Sequence, residues 1–133
     1  LFTEYNAHAP EHFYPRRAVR TARFKLIHNL DSACRNPLSY IGNTRLSPTV
    51  RPAPGWNATY RNLFHPPEFE LYDLLVDPFE TNNLANRPQQ AQRLANLQAA
   101  LLQWRQRTGD PLLEPTEIPR LKAALGVGCV SRR

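Results

Sequence analysis

Long apolar runs are absent from this chain of 133 residues. No stretch is long enough to cross a bilayer as a helix, which needs about 20 apolar residues. The chain begins at Leu1, without methionine and without the basic and apolar regions of a signal peptide. We therefore expect a piece of a longer protein, and the missing targeting segment leaves the compartment open.

Cysteine and glycine are also scarce, with two cysteines (Cys34 and Cys129) and five glycines. No C-x-x-C pair or Cys/His cluster is present, so the sequence predicts no zinc site. The two cysteines could pair in an oxidising compartment, but their distant positions do not establish it. Proline, in contrast, occurs thirteen times, which predicts many turns and irregular connections.

Acidic residues are outnumbered by basic ones, which gives a net charge of +6 and a pI near 9.9. This balance favours polyanionic partners such as nucleic acid, an anionic membrane or a sulfated glycan. The basic residues are scattered, however, which favours an ordinary solvated surface. An independent basic module that binds a polyanion without catalysis is the alternative, and it would need basic and aromatic residues clustered on one face.

The hydrophobic pattern predicts an α+β fold, with a small antiparallel sheet packed against one long C-terminal helix. Residues 16–30 alternate apolar and basic side chains about a bend at residues 21–23, which predicts a β-hairpin. Residues 31–67 are rich in proline and predict a long irregular loop. Residues 68–75 predict another strand, apolar enough on both sides to be central in a sheet.

A helix is predicted over residues 88–108 because large apolar side chains recur there every three or four residues, at Leu94, Leu97, Leu101 and Trp104. Gly109 and Pro111 favour its end at this point. A second, short helix is predicted over residues 117–125, with Thr116 as its N-cap.

Three segments resemble one protein family. Glu70–Ala85 reads E-L-Y-D-L-L-V-D-P-F-E-T-N-N-L-A and closely resembles the E-L-Y-D-L-x-x-D-P-x-E-x-x-N-L-A signature near the C-terminus of sulfatases. Tyr14–Asn29 is similar to their Y-x-P-x-R-A-V-R-T-x-R-Y-K-Y-I-x-N hairpin, with one residue fewer between Tyr and Pro. Phe2–His8 resembles their F-T-E-x-x-x-H segment. L-x-x-W from Leu101 and T-G-D-P from Thr108 resemble the heparan N-sulfatase, or sulfamidase, branch.

The resemblance implies a domain organisation and a function. Residues 1–111 would be the C-terminal domain of an alkaline-phosphatase-like sulfatase, with residues 1–15 as the linker from a missing catalytic domain. Residues 112–133 would be a C-terminal extension. The domain would be the non-catalytic portion of an enzyme that hydrolyses sulfate esters or N-sulfo groups of sulfated sugars. It would shape the rim of the substrate pocket and stabilise the catalytic domain.

The partners implied by the resemblance are the protein's own N-terminal catalytic domain and a sulfated saccharide, with neither nucleic acid nor a membrane. The compartment that it implies is periplasmic, secreted or lysosomal. Asn57 begins an Asn-Ala-Thr glycosylation sequon, which would matter only in a eukaryotic secretory protein.

Sulfatase catalysis, in the family implied, uses a formylglycine made from Cys or Ser in C/S-x-P/A-x-R. It also uses a Ca²⁺ held by oxygen ligands. Cys34 is followed by R-N-P-L, with Pro at the wrong offset, and Cys129 by V-S-R-R, with Ser where Pro or Ala is expected. No Asp-Asp or Asp-Asn cluster is present either. We therefore predict no catalytic residue, no metal ligand and no cofactor in this chain, and place Ca²⁺ and formylglycine in the missing catalytic domain.

Three residues near the predicted hairpin are candidates for substrate binding: His8, Glu4 and Arg17. His8 could hydrogen-bond a sugar, or contact a sulfate when protonated, or it could be an ordinary interdomain histidine. Arg17 could bind an anionic group through two parallel hydrogen bonds, or make a structural ion pair. For the signature residues at 70, 72, 77, 80 and 83 we expect an architectural role, in which Asp77 and Asn83 bond local backbone groups and fix the turn before the helix.

Overall fold

The computed structural model of the protein describes residues 1–7, 9–37 and 62–129. Its strands and helices follow one another along the chain: β1 (Phe2–Tyr5), β2 (Arg16–Arg20), β3 (Phe24–Asn29), β4 (Phe69–Asp73), α1 (Ala91–Arg107) and α2 (Glu117–Leu125). The four strands form one sheet in the order β1-β2-β3-β4, and every neighbouring pair is antiparallel. The predicted α+β fold is thus confirmed. His8, the sequon at Asn57 and most of the proline-rich loop lie outside the described residues.

The predicted hairpin is formed by β2 and β3, with Val19 opposite Leu26. Its turn has no Asn-Gly pair, and Thr21 closes it instead. The backbone N–H of Thr21 donates to the Phe24 carbonyl at 2.8 Å, and the Phe24 N–H donates to the Thr21 hydroxyl oxygen at 2.8 Å. A short polar side chain that bonds the backbone stabilises the turn without a left-handed residue.

The strand predicted over residues 68–75 is present as β4, and it lies at an edge of the described sheet rather than in the central position that its apolar sides would allow. The free edge of β4 is bonded to a loop. The Leu71 N–H donates to the side-chain oxygen of Asn83 at 2.9 Å, and the Asn83 amide donates to the Phe69 carbonyl at 3.1 Å. The Leu84 N–H donates to the Leu71 carbonyl at 2.8 Å. An apolar strand can therefore lie at the edge because the loop satisfies its backbone groups.

α1 covers one face of the sheet and packs against β2 and β3. The core between them consists of five buried side chains: Val19, Leu26, Leu71, Leu97 and Leu101. Burial of such a side chain stabilises a fold by about 1.5–3 kcal/mol. A short 3-10 turn at Pro88–Gln90 leads into α1, and Gly109 follows its end with a φ of 63°. Only glycine adopts this left-handed conformation without strain, so the predicted helix and its stop are both confirmed.

The residues that follow α1 are tied back to the loop after β3. A disulfide joins Cys34 to Cys129, and the Lys122 ammonium lies 2.6 Å from a carboxylate oxygen of Asp31. α2 forms where it was predicted, but the Thr116 side chain makes no capping hydrogen bond. The predicted domain boundary at residue 111 stays a prediction, and both of these links cross it.

Candidate functional site

Arg17 lies on β2 and points to the helix side, where it is 1% exposed. Its Nε and Nη2 donate to the two carboxylate oxygens of Asp110, both at 2.8 Å. Its Nη1 donates to the side-chain oxygen of Asn6 at 2.8 Å and to the Arg16 carbonyl at 2.9 Å. Arg17 therefore joins the end of β1 to the segment that follows α1.

Asp110 receives a second arginine, because Arg105 Nε donates to it at 2.7 Å. The Leu112 N–H also donates to this carboxylate, at 3.1 Å. Burial raises the pKa of Asp110, but the hydrogen bonds from Arg17, Arg105 and the Leu112 amide outweigh it and lower the pKa to about 2. The carboxylate is thus held ionised between two buried guanidinium groups, an arrangement that fixes the end of α1 to the sheet.

Glu4 is the predicted site residue that lies beside Arg17. Its side chain is 59% exposed, and Oε2 lies 3.8 Å from Arg17 Nε. The two residues are opposite each other on β1 and β2. Arg17 has the partners of a structural ion pair, which agrees with the alternative weighed for it. Substrate binding by Glu4, His8 and Arg17 stays a prediction, and His8 lies outside the described residues.

Alternate side chains of β3 and β4 point away from α1, to what we call the open face of the sheet. Since Leu26 and Leu71 face the helix, their neighbours at positions 25, 27, 70 and 72 face the other way. On this face the Asn29 amide donates to Glu70 at 2.7 Å, and the Tyr72 hydroxyl donates to the same carboxylate at 2.5 Å. Burial, this hydrogen bond and the nearby carboxylates raise the pKa of Tyr72.

Lys25 and Glu80 extend the polar network of the open face. The Lys25 ammonium lies 2.7 Å from Glu80, and Glu80 has a φ of 56°. Asp77 holds the preceding turn, because its carboxylate accepts from the Thr81 and Asn82 N–H groups at 3.1 and 2.8 Å. The architectural role predicted for Asp77 and Asn83 is confirmed by these local hydrogen bonds and by those of Asn83 to β4.

A shallow depression of about 160 Å³ lies on the open face between β1, β2 and β3. Its lining includes both described members of the predicted site, and consists of Thr3, Glu4, Tyr5, Arg16, Arg17, Ala18, Lys25 and Ile27. It combines aliphatic and aromatic surface with cationic groups, which suits a protein or sugar surface better than a metal ion.

A second concavity, of about 170 Å³, lies on the helix side between α1 and the ends of β3 and β4. His28 lines it and stacks on Phe69 with ring centroids 4.3 Å apart. Burial and, to a smaller extent, the positive charges of Arg105 and Arg17 together lower the pKa of His28 to about 4. Although its Nε2 lies 3.7 Å from Glu68, a neutral imidazole makes no ion pair at pH 7.

The two cysteines that were weighed as nucleophiles are bonded to each other. A disulfide sulfur is not a thiolate, so neither can attack sulfur in this state. In the described ranges, no group of three or more His, Cys, Asp or Glu side chains could hold a metal ion. No helix in these ranges is both long and apolar enough to span a bilayer.

The cluster formed by Arg17, Asp110 and Arg105 was not predicted as a unit. From the sequence, Asp110 was recognised only as part of the T-G-D-P motif, and Arg105 was not distinguished from the other basic residues. A usable signal was present, since Arg105 is four residues beyond Leu101 and so lies on the buried stripe of α1. A charge on such a stripe needs a partner of opposite sign.

Two known proteins are similar to this chain in sequence. The chain is 35% identical to human N-sulphoglucosamine sulphohydrolase over 118 residues, and this match covers 84% of the chain and 24% of that protein. It is 34% identical over 101 residues to an ulvan-active sulfatase of Formosa agariphila, which covers 71% of the chain and 17% of that protein. No family model matches the chain.

Solved structures agree in fold. A putative sulfatase from Bacteroides thetaiotaomicron matches with a TM-score of 0.52 and 25% identity, over 83% of this chain and 16% of its own. A 2-O GAG sulfatase matches with a TM-score of 0.53 and 24% identity over the same shares. A protein in complex with its substrate D-glucosamine-2-N,6-O-disulfate matches with a TM-score of 0.52 and 20% identity, over 86% of this chain and 17% of its own.

The chain has a four-stranded antiparallel sheet under one long helix, and it matches a small part of several sulfatases. It is therefore a C-terminal domain of a sulfatase with the alkaline-phosphatase-like fold. The chain belongs to the sulfatase family. Within it, the chain is similar to N-sulphoglucosamine sulphohydrolase and spans about a quarter of that relative's length. The alternative of an independent basic module is not supported.

Proposed function

We propose that the protein to which this chain belongs hydrolyses sulfate esters or N-sulfo groups of sulfated sugars, and that this chain is its non-catalytic C-terminal portion. The observation that carries this proposal is the 35% identity over 118 residues to a relative whose name specifies N-sulphoglucosamine. The similar structure that holds a sulfated glucosamine supports the same class of substrate.

The role of this portion, in the proposal, is to shape the rim of the substrate pocket and to stabilise the catalytic domain. Glu4 and His8 contact the sugar, since Glu4 is exposed and both follow the start of β1. Arg17 is almost fully buried and bonded to Asp110 and Asn6. We therefore assign Arg17 to positioning the end of β1, and give it no direct contact with substrate.

The residues of this chain do not fit the nucleophile or the calcium site that sulfatases use. The sequence has no C/S-x-P/A-x-R motif, and the described residues offer no cluster of metal ligands. We therefore derive no catalytic step from this chain, and assign Ca²⁺ and formylglycine to the remainder of the protein. The Cys34–Cys129 disulfide favours an oxidising compartment, periplasmic, secreted or lysosomal.

The test uses the full-length protein and two substrates, an N-sulfated glucosamine saccharide and a small aryl sulfate. Release of sulfate from the saccharide supports the proposed activity, and release from neither substrate contradicts it. Glu4→Ala and His8→Ala are expected to raise KM for the saccharide more than for the aryl sulfate, because only the saccharide reaches the rim.

Glu114→Ala is the matched control for Glu4→Ala, since Glu114 is also an exposed glutamate. Its KM values are expected to equal those of the unmodified protein. Equal effects of Glu4→Ala and His8→Ala on both substrates would exclude the rim assignment while leaving the activity itself in place. A lower melting temperature with unchanged KM is the result expected for Arg17→Ala.

A further inference from the structure

The disulfide between Cys34 and Cys129 joins a buried residue to an exposed one. Cys34 is 6% exposed and lies in the loop after β3, whereas Cys129 is exposed and follows α2. Thiol–disulfide exchange begins when a thiolate attacks one of the two sulfur atoms, and access helps to decide which sulfur is attacked. A thiolate that arrives from solvent therefore reaches Cys129 rather than Cys34.

A lysine lies against the buried sulfur. The Lys122 ammonium, on α2, donates to Cys34 Sγ at 3.1 Å and to a carboxylate oxygen of Asp31 at 2.6 Å. The side chains of Lys122 and Asp31 are only 11% and 12% exposed, so solvent screens these charges little. The uncharged sulfur of an intact disulfide is a weak acceptor, whereas a thiolate at the same place is stabilised by a neighbouring ammonium. Lys122 therefore favours the state in which Cys34 has left the disulfide.

We propose that Cys129 is a site of reversible modification by a small thiol, with Cys34 as the leaving group and Lys122 as the residue that stabilises it. The small thiol loses its proton to solvent, and its thiolate attacks Cys129 Sγ to form a new S–S bond. The bond between Cys129 and Cys34 breaks, and Cys34 keeps the electron pair as a thiolate beside the Lys122 ammonium. One disulfide replaces another without net oxidation, and attack by Cys34 on the mixed disulfide reverses the step.

The exchange changes how the end of α2 is attached to the loop after β3. The disulfide is a covalent link between positions that are 95 residues apart. When it is open, Lys122 still lies between Asp31 and the Cys34 sulfur, and both contacts hold α2 to the loop. The residues that follow α2 lose their covalent link. The proposal thus describes two forms of the protein that differ in one attachment, and it does not depend on the hydrolytic activity.

The first test treats the full-length protein with an excess of isotope-labelled glutathione, quenches with acid, and alkylates the free thiols with a maleimide. Peptide mass spectrometry then locates both groups, and trypsin separates the two cysteines because many lysines and arginines lie between positions 34 and 129. Glutathione is expected on Cys129 and the maleimide on Cys34. The same treatment in urea is the control, and it is expected to place glutathione on both cysteines because both are then accessible.

Three results of the first test would overturn the proposal. Glutathione on Cys34 with the maleimide on Cys129 would show that the buried sulfur is the one attacked. Equal amounts of glutathione on the two cysteines of the folded protein would show that neither is preferred. An intact disulfide with no adduct would show that the bond does not exchange with a small thiol. Because no variant is needed, this test does not depend on the folding of a mutant.

The second test measures the rate of adduct formation in full-length Lys122→Met, Lys122→Arg and Asp31→Asn. Lys122→Met is expected to slow the exchange roughly fivefold, because Cys34 becomes a poorer leaving group. Lys122→Arg keeps the positive charge and Asp31→Asn keeps the ammonium, so neither should slow it.

A purely structural role of the ion pair between Lys122 and Asp31 predicts a different pattern. Loss of either partner would then loosen the contact between α2 and the loop, and both Lys122→Met and Asp31→Asn would speed the exchange. A rate for Lys122→Met that equals or exceeds that of the unmodified protein would therefore overturn the role assigned to Lys122.

Discussion

The two faces of the sheet are held in different ways. The helix face is closed by five buried aliphatic side chains and, at one end, by the ion cluster of Arg17, Asp110 and Arg105. The open face carries a network of hydrogen bonds and a shallow depression. The helix face is therefore held by apolar packing and buried charges, whereas the open face is held by hydrogen bonds between polar side chains.

The family signature falls on both sides of this division. Glu70, Tyr72 and Glu80 belong to the network of the open face, whereas Asn83 covers the edge of β4. In the part of the chain that the structure describes, these residues make local hydrogen bonds and belong to no group of side chains that could hold a metal ion. A motif that identifies an enzyme family can thus mark the construction of a domain rather than its chemistry, since directional hydrogen bonds specify geometry in a way that aliphatic packing does not.

The largest effect is expected for Asp110→Ala on the helix face. The change leaves Arg17 and Arg105 buried without their counter-charge, which typically costs about 3–5 kcal/mol. Urea unfolding measures the loss. Glu117→Ala, which removes the partner of the exposed Arg120, is the control and should lower the free energy of unfolding much less. Similar losses in the two variants would show that the cluster does not hold α1 to the sheet.

Leu101→Ala and Leu102→Ala form a matched pair within α1. Leu101 is 2% exposed in the core, whereas Leu102 is 47% exposed. Truncation of Leu101 should lower the free energy of unfolding by about 2–5 kcal/mol, and the same truncation at position 102 by much less. Gln103, which is exposed, should tolerate alanine as well. Equal losses at positions 101 and 102 would mean that the helix face is assigned incorrectly.

His28 makes the stability of the helix face depend on pH. Its pKa is about 4 in the folded state and near 6.5 in an unfolded chain, so the unfolded chain binds more protons between these values. Stability should be fully present above pH 6.5 and fall as the pH is lowered towards 4, by about 2–3 kcal/mol in total. Urea unfolding at several pH values measures the slope, and His28→Gln should remove it.

The contribution of Asp110 lies in a lower window. Its folded pKa is about 2, below that of a free aspartate near 3.9. The stability that it provides is present above pH 4 and is lost as the pH falls towards 2. The two groups therefore act in separate pH ranges. If the stability of the His28→Gln variant still falls between pH 6.5 and 4, a group other than His28 causes that fall.

Prediction from sequence succeeded where one periodicity decided the outcome. The stripe from Leu94 to Trp104 fixes α1, and the alternation about Thr21 fixes the hairpin. Apolar character did not decide the position of β4, because a strand that is apolar on both sides can also lie at an edge when a loop bonds its backbone. The Arg17–Asp110 pair could not be predicted, since 93 residues separate its members and spacing carries no signal over that distance.

The smallest effect in this series is expected on the open face. Tyr72→Phe removes the hydrogen bond to Glu70 but keeps the ring, and should cost about 0.5–1.5 kcal/mol in this chain. Thr21→Ala, at the far end of the hairpin, gives a comparison for the loss of one hydroxyl that bonds the backbone. A loss for Tyr72→Phe as large as that for Leu101→Ala would remove the contrast between the two faces.

The most direct measurement compares hydrogen exchange of the β3 amides in the full-length protein for Leu101→Ala and Tyr72→Phe. The account predicts a large loss of protection for Leu101→Ala, because this change opens the core between α1 and the sheet. Tyr72→Phe should change the protection little, because Glu70 still accepts a hydrogen bond from Asn29. An equal loss of protection in the two variants would contradict the claim that the two faces are held in different ways.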